Sequence, residues 1–250
     1  MATQALFIVL GAAGGLIVGS FIGALVQRWP RGQSVMQGRS RCDHCHQTLR
    51  ARELVPLLSF VWLKGRCRSC LAPIAPNHLA AELAAALVGA TAFAAAPPVT
   101  AMAGLLLGWG LVALALLDLE HFWLPDRLTL PLAGAGAVVS IAGLGIAFTD
   151  SLIGIAAGYG ALALIGTLYK MLRRRAGIGG GDAKLLAAIG AWIGWQLLPF
   201  ALLIASLIGL ASVLLRRARN LPVAASDRLP LGAMLAVTAW ALWLLRQGVR

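Results

Sequence analysis

Eight apolar runs, near 5–27, 79–97, 99–118, 129–148, 151–171, 183–195, 197–215 and 230–245, divide this chain at short polar connectors. A helix crosses a hydrocarbon core with about 20 predominantly apolar residues, and most of these runs approach that length. Sixty per cent of the 250 residues are hydrophobic and 12% are charged; mean hydropathy is +0.84. A water-soluble domain of this size has too much surface to cover with so few charges. The reading is an all-α polytopic membrane protein with about eight transmembrane helices, solvated by a lipid bilayer. "AAAPPVT" and "WQLLPF" break two long apolar stretches into helix pairs, because proline removes a donor and resists helix continuation.

The net charge of +12 would suggest nucleic acid in a soluble protein, but its distribution indicates otherwise. With the first residue outside, the inside segments are 28–78, 119–128, 172–182 and 216–229. Counting the span-edge residues Lys170 and Lys184 with them, only Arg246 and Arg250 of the 21 Lys and Arg residues fall outside. This is the positive-inside asymmetry of a plasma-membrane protein with its basic loops in the cytosol. The charge therefore sets topology, and no nucleic-acid partner is expected. The first run lacks a basic segment ahead of it and is too long for a cleavable signal, so it reads as an anchor. Three parts follow: a first transmembrane helix at 1–27, a polar cytosolic insert at 28–78, and a membrane bundle at 79–250.

All four cysteines lie in the insert, as "CDHC" (Cys42, Cys45) and "CRSC" (Cys67, Cys70). Two Cys-x-x-Cys knuckles match a tetrahedral four-thiolate zinc site, closed and therefore structural. Arg41, Arg66 and Arg68 flank the knuckles and are expected to favour the thiolates. Redox thiols or a pair of disulfides are the alternatives, opposed by a reducing cytosol. His44, His46 and His78 are spare ligands. The apolar "ELVPLLSFVWLKGR" within the insert suits the membrane surface, packing on the bundle, or a solvated ribbon of strand and turn.

Nine acidic residues remain to be placed. Asp43 and Glu53 belong to the insert, and Asp150 and Asp227 read as solvated loop charges. Glu82 either pairs with a basic residue or lines a site. Asp118 ends the third run, in "LVALALLDLEHFWLPDRLTL", alongside Glu120 and Asp126; Asp182 begins the sixth, in "GIGGGDAKLL". On this topology both meet the cytosolic face from different helices. Two neighbouring carboxylates at a lipid–water boundary cannot both ionise cheaply, so they share a proton. Such a dyad activates water with one member and protonates a carbonyl or amine with the other, without a metal. Gly179, Gly180 and Gly181 would let a substrate strand approach Asp182, and with Gly177 they permit φ > 0 and loop motion. The plainer reading makes Asp182 a helix N-cap and Asp118 the polar end of a span.

Taken together, these motifs resemble the type IV prepilin peptidases, the prepilin leader peptidase/N-methyltransferases of bacterial inner membranes. "GSFIGALVQRWPRG", "SRCDHC", "GRCRSCLAPI", "LLDLEHFWLPDRLTLP", "GIGGGDAKLLAAIGAWIGW" and "LPLGAMLA" carry the resemblance over nearly the whole chain. Gly23 stands where the family commonly has Asn, "APNHLAAE" replaces a Tyr-Pro-x-x-Glu pattern, and Leu231 replaces Phe. The resemblance implies that Asp118 and Asp182 are catalytic and that the substrate is a prepilin or pseudopilin precursor. Cleavage would follow a glycine at the cytosolic membrane edge, and the new amine would be methylated from S-adenosylmethionine. Two rivals stand beside it. One is a proton- or cation-coupled transporter using the same aspartates. The other is a membrane-anchored zinc or thiol-redox module.

Overall fold

The computed structural model describes residues 2–35, 40–42, 44–74, 76–174, 179–222 and 228–248. Asp43, Gly177 and Asp227 lie outside the described residues. Among the described residues the regular structure is helical: α1 (Ala2–Arg28), α2 (Leu58–Trp62), α3 (Pro76–Ala95), α4 (Pro98–His121), α5 (Asp126–Ile141), α6 (Phe148–Arg173), α7 (Gly180–Ile193), α8 (Leu198–Ala218) and α9 (Leu231–Gly248), with 3₁₀ turns at Trp29–Arg31, Ala51–Leu54 and Trp195–Leu197. Two isolated β-bridges, Arg41 to Thr48 and Arg66 to Pro73, lie in the insert.

A helix occupies each of the eight apolar runs, but among the described residues only five helices are long and apolar enough to cross a bilayer. These are α1 with its following turn, α3, α4, α6, and α8 with the turn before it. The expectation of eight crossings therefore does not follow from helix length. At 1.5 Å per residue, the 14 residues of α7 extend roughly 21 Å, short of a core of about 30 Å. Every residue from Leu185 to Ile193 in α7 is buried, as expected of a helix apolar all round and enclosed by neighbours.

The chain forms two compact units, Met1–Pro98 and Val99–Arg250. In the first, α1 and α3 run antiparallel at very short range. A Cβ added to Gly11 would lie 2.5 Å from the Gly89 carbonyl oxygen, and one on Gly19 would lie 2.5 Å from the Ala81 carbonyl oxygen. Lipid offers no hydrophobic drive for helix association, so small residues that let backbones touch supply it by dispersion. At the insert end of the pair, Gly23 admits the His78 ring. Glu82 is buried on α3, 7% exposed, and accepts the Leu57 N–H at 2.8 Å, so its partner is a backbone amide of the insert.

In the second unit α7 is the central strut. It meets α6 through Gly190 on Gly154 and Leu186 on Gly158, backbone against backbone. Ser151 Oγ donates to the Ala191 carbonyl at 2.9 Å, and Trp192 Nε1 to the Leu132 carbonyl of α5 at 2.8 Å. At its C-terminus, where the helix dipole is negative, Arg246 of α9 donates to the Ile193 carbonyl at 2.7 Å. Asp150, expected as a free loop charge, instead begins α6 and accepts from Trp195 Nε1 and Gln196 Nε2 at 3.1 and 3.2 Å. The proline patches mark the α3–α4 and α7–α8 junctions as expected.

The α1–α3 packing predicts a contrast between adjacent glycines. A Cβ on Gly15 would collide with the Ala85–Ala86 backbone, whereas one on Gly14 meets nothing within 4 Å. Gly15→Ala should lower stability by roughly 1–3 kcal/mol, the usual cost of overpacking, and Gly14→Ala should be near neutral. Thermal unfolding in detergent separates them; equal midpoints would contradict the interface.

Candidate active site

Asp118 lies in the last turn of α4, 5% exposed, beneath the fully buried Leu114 and Leu117. Its Oδ2 accepts the Ala233 N–H at 2.9 Å, and the Gly232 amide adds a second backbone bond. Both amides belong to the first turn of α9, whose N–H groups have no partner within the helix and sit at its positive end. Asp118 is thus a cap, but for another helix. The late motif "LPLGAMLA" has its structural reason here: a Cβ on Gly232 would lie 3.0 Å from Asp118 Oδ2 and 2.8 Å from Leu124 Cδ1. Gly232 and Ala233 are the functional neighbours that sequence reading did not pick out; only the glycine in that motif signalled them.

Asp182 is half-buried in the first turn of α7. Gly179 holds the N-cap position with φ −70° and ψ 139°. Asp182 is therefore the third helical residue and not the cap itself, and its carboxylate reaches back to the Gly179 backbone, as the third residue of a capping box does. None of Gly179, Gly180 and Gly181 uses a positive φ; the last two already belong to the helix. The requirement for glycine is steric at 181, where a Cβ would lie 2.8 Å from Leu124 Cβ, and absent at 180, where a Cβ meets nothing within 4 Å. Gly180 therefore leaves open space beside Asp182.

Leu124 links the two aspartates. It packs on Gly181, next to Asp182, and on Gly232, whose amide bonds Asp118. A second tie sits alongside: Lys184 Nζ bonds both carboxylate oxygens of Asp126 at 2.7 Å, joining the start of α5 to the N-terminal part of α7. Half-exposed, the pair is worth at most ~1 kcal/mol, but it fixes the register of the two helix starts. Four helix ends thus meet at one end of this unit, and the structure brings Asp118 and Asp182 together. Burial, and then the nearby charge of Asp118, push the Asp182 carboxyl up from its usual 3.8 to about 6. Glu120 turns elsewhere, 3.8 Å from the His121 ring.

The cysteines form a separate cluster within the first unit, whose four Sγ atoms all lie within 4.8 Å of one another. Among the described residues, none of the histidines joins it. The knuckles repeat one geometry. Cys42 N–H donates to Gln47 and the Cys42 carbonyl accepts from His46; Cys67 N–H donates to Ala72 and the Cys67 carbonyl accepts from Leu71. His46 and Leu71 both take a φ of 57°. The cysteines are free thiols, with Sγ separations of 3.8 Å for Cys42–Cys70 and 3.9 Å for Cys45–Cys67. Backbone N–H groups of Cys70 and Ser69, not the flanking arginines, pull the Cys67 thiol down to about 7. The Ala72 amide favours the Cys70 thiolate, yet lost hydration and the other three thiols push it up to about 11. Four sulfurs this close cannot all ionise without a cation among them, so the donor set fits a metal ion. Arg68 faces Glu53 at 3.6 Å. "ELVPLLSFVWLKGR" holds the end of a 3₁₀ turn and α2, joined by turns, with only Arg66 at its end in a β-bridge.

Residues 14–96 match the family model described as the bacterial peptidase A24 N-terminal domain, and residues 105–214 match the type IV leader peptidase family. A protein of Aeromonas hydrophila named prepilin leader peptidase/N-methyltransferase is 43% identical over 217 residues, covering 84% of this chain and 73% of the relative. Proteins of the same name from Stutzerimonas stutzeri and Pseudomonas aeruginosa are 35% and 36% identical, covering 95% and 92% of this chain and 91% and 88% of theirs. No solved structure matches. None of these names describes a transporter.

The raised Asp182 carboxyl makes a prediction of defined sign. Between its usual value of 3.8 and about 6 the folded protein holds a proton that the unfolded chain releases. Stability contributed by this group therefore falls as pH rises through that window, and the penalty is complete above it. Asp182→Asn never ionises. Its thermal midpoint relative to wild type should be higher at pH 7 than at pH 4; a pH-independent difference would count against the burial of this carboxylate.

Proposed function

The chain belongs to the type IV leader peptidase family, and from that premise we propose that it cleaves the leader from prepilin or pseudopilin precursors with Asp118 and Asp182. The names of its relatives add N-methylation of the new N-terminus to that activity. The observation that carries the reading of the dyad is the shared packing of Leu124 on Gly181 and Gly232, which holds two aspartates from different helices at one end of the unit.

The dyad carries one proton between its members and titrates as a pair. The ionised carboxylate takes a proton from a water molecule as the water oxygen attacks the scissile carbonyl carbon. The protonated carboxyl donates to the carbonyl oxygen. Collapse of the tetrahedral species breaks the C–N bond, the amine leaves with a proton, and the leader ends in a new carboxylate. The open space at Gly180 and the backbone of Gly179–Gly181 form the wall along which the substrate strand lies. A precursor whose apolar helix sits in the bilayer presents its scissile bond at that depth. The basic inside loops support a bacterial inner-membrane location with the dyad at the cytosolic face. The new amine is then methylated with S-adenosylmethionine as donor; no residue of this chain is assigned to holding it. In this reading 1–27 serves as an anchor, 28–78 as the metal-holding insert and 79–250 as the bundle that carries the dyad.

Zinc is the ion that best suits the thiol cluster. Zn–S bonds of about 2.3 Å set the edge of a tetrahedron at about 3.8 Å, which is the separation of the paired sulfurs. All four positions are then filled by protein, so the ion is structural and takes no part in hydrolysis.

Incubation with a prepilin in detergent, with and without S-adenosylmethionine, tests the activity by the mass of the product's N-terminus. Asp118→Asn and Asp182→Asn should each abolish cleavage, by 10³-fold or more on the scale of lost catalytic groups, while inserting normally. Cleavage that survives either change would sink the dyad. Metal analysis should give about one zinc per chain for a closed four-thiolate site. Cys42→Ser or Cys67→Ser should lose that zinc and shift thermal unfolding downward; full metal content in both variants would refute the assignment.

A further inference from the structure

We propose that the α2 segment of the insert is a membrane-surface anchor, docking its exposed apolar face into the headgroup region of an anionic bilayer. Leu58, Val61 and Trp62 are 67%, 72% and 80% exposed. They stand at i, i+3 and i+4, so one face of this short helix is apolar and points outward. The other side is fastened to the insert: Phe60 packs on Gly65. Three large apolar side chains turned to the outside, one of them tryptophan, are the reverse of a water-facing helix and the arrangement of an interfacial one.

Depth supports the same occupant. Leu57 is the centre of a tight turn with φ 59° and ψ −51°, closed by Leu58 N–H on the Pro56 carbonyl at 2.6 Å. Such positive-φ γ-turns are rare and strained, and here the Leu57 N–H is held by buried Glu82 at 2.8 Å. Glu82 is six residues past the start of α3 at Pro76, about 9 Å along the helix axis. That is within one turn of Leu79, where the apolar run begins. The tether therefore sets α2 at the level where α3 enters the hydrocarbon, and its free face meets lipid. Charge agrees: segment 28–78 carries nine Lys and Arg residues against Asp43 and Glu53, and Arg52, Lys64 and Arg66 beside the patch are exposed. Juxtamembrane basic residues are attracted to anionic headgroups. This inference is independent of the dyad.

The test uses the full chain, one copy per nanodisc, in phosphatidylethanolamine and phosphatidylglycerol doped with a photoactivatable phospholipid. Trypsin releases Glu53–Lys64 as one peptide, and mass spectrometry reads lipid adducts on it. The expected result is adduct formation on that peptide comparable to that on the ends of α1 and α3. Leu58→Ser/Val61→Ser/Trp62→Ser, all at exposed positions, should lose most of it. An unlabelled wild-type peptide alongside labelled α1 and α3 peptides overturns the proposal, whether its amides exchange freely, as in solvent, or are protected, as under a protein surface. The wild-type arm decides the matter even if the triple variant misfolds. Undiminished labelling of a folded triple variant also overturns it.

Discussion

A carboxylate buried at the end of a lipid-solvated helix is tolerated only where donors receive it, and Asp118 finds them in the first turn of α9. That bond solves two problems together. The unpaired amides at a helix start need an acceptor, and the buried acid needs a partner that is not a countercharge. An arginine would neutralise the group permanently. Backbone amides orient it while leaving its proton exchangeable, which acid–base chemistry requires. The α9 start, the glycine at 232 and the placement of Leu124 all follow from accommodating this one contact.

The second aspartate depends on how α7 is held. Too short to be positioned by the bilayer alone, this helix is fixed by its neighbours along its length. The Lys184–Asp126 pair ties its start, backbone contact of Leu186 with Gly158 of α6 its middle, and Gly190, Arg246, Ser151 and Trp192 its C-terminal half. Packing between small residues is rigid because backbones touch and little remains to rearrange. The catalytic role proposed for Asp182 calls for this stiffness, since displacement of about 1 Å can cost two orders of magnitude in rate.

The first unit reaches definition by different means. Its helix pair uses the same close glycine packing, but the insert has too few buried apolar residues for a core of its own. Two copies of one knuckle geometry present four thiols to a common point, and the binding free energy of an ion there would replace that of a core. Glu82 then fastens the neighbouring segment through a backbone amide, trading a strained turn at Leu57 for a defined depth.

Much of this was legible in the sequence, because the relevant signals are local. Apolar run length located all eight long helices, prolines marked their junctions, Cys-x-x-Cys spacing picked out the four thiols that cluster, and the glycine–aspartate motif pointed to Asp182. What stayed hidden depends on residues far apart in the chain. That Asp118 caps α9, that Leu124 spans both aspartates, that Gly181 is needed for space and not for φ, and that Glu82 serves an amide instead of an arginine are facts of side-chain meeting, which no spacing encodes. Sequence alone determined the solvent of this protein and the chemistry available to it, since hydropathy and residue type are properties of each position. Only the tertiary structure decided which carboxylate meets which helix end, because in a bilayer helices associate by surface fit, and fit exists only between partners already in contact.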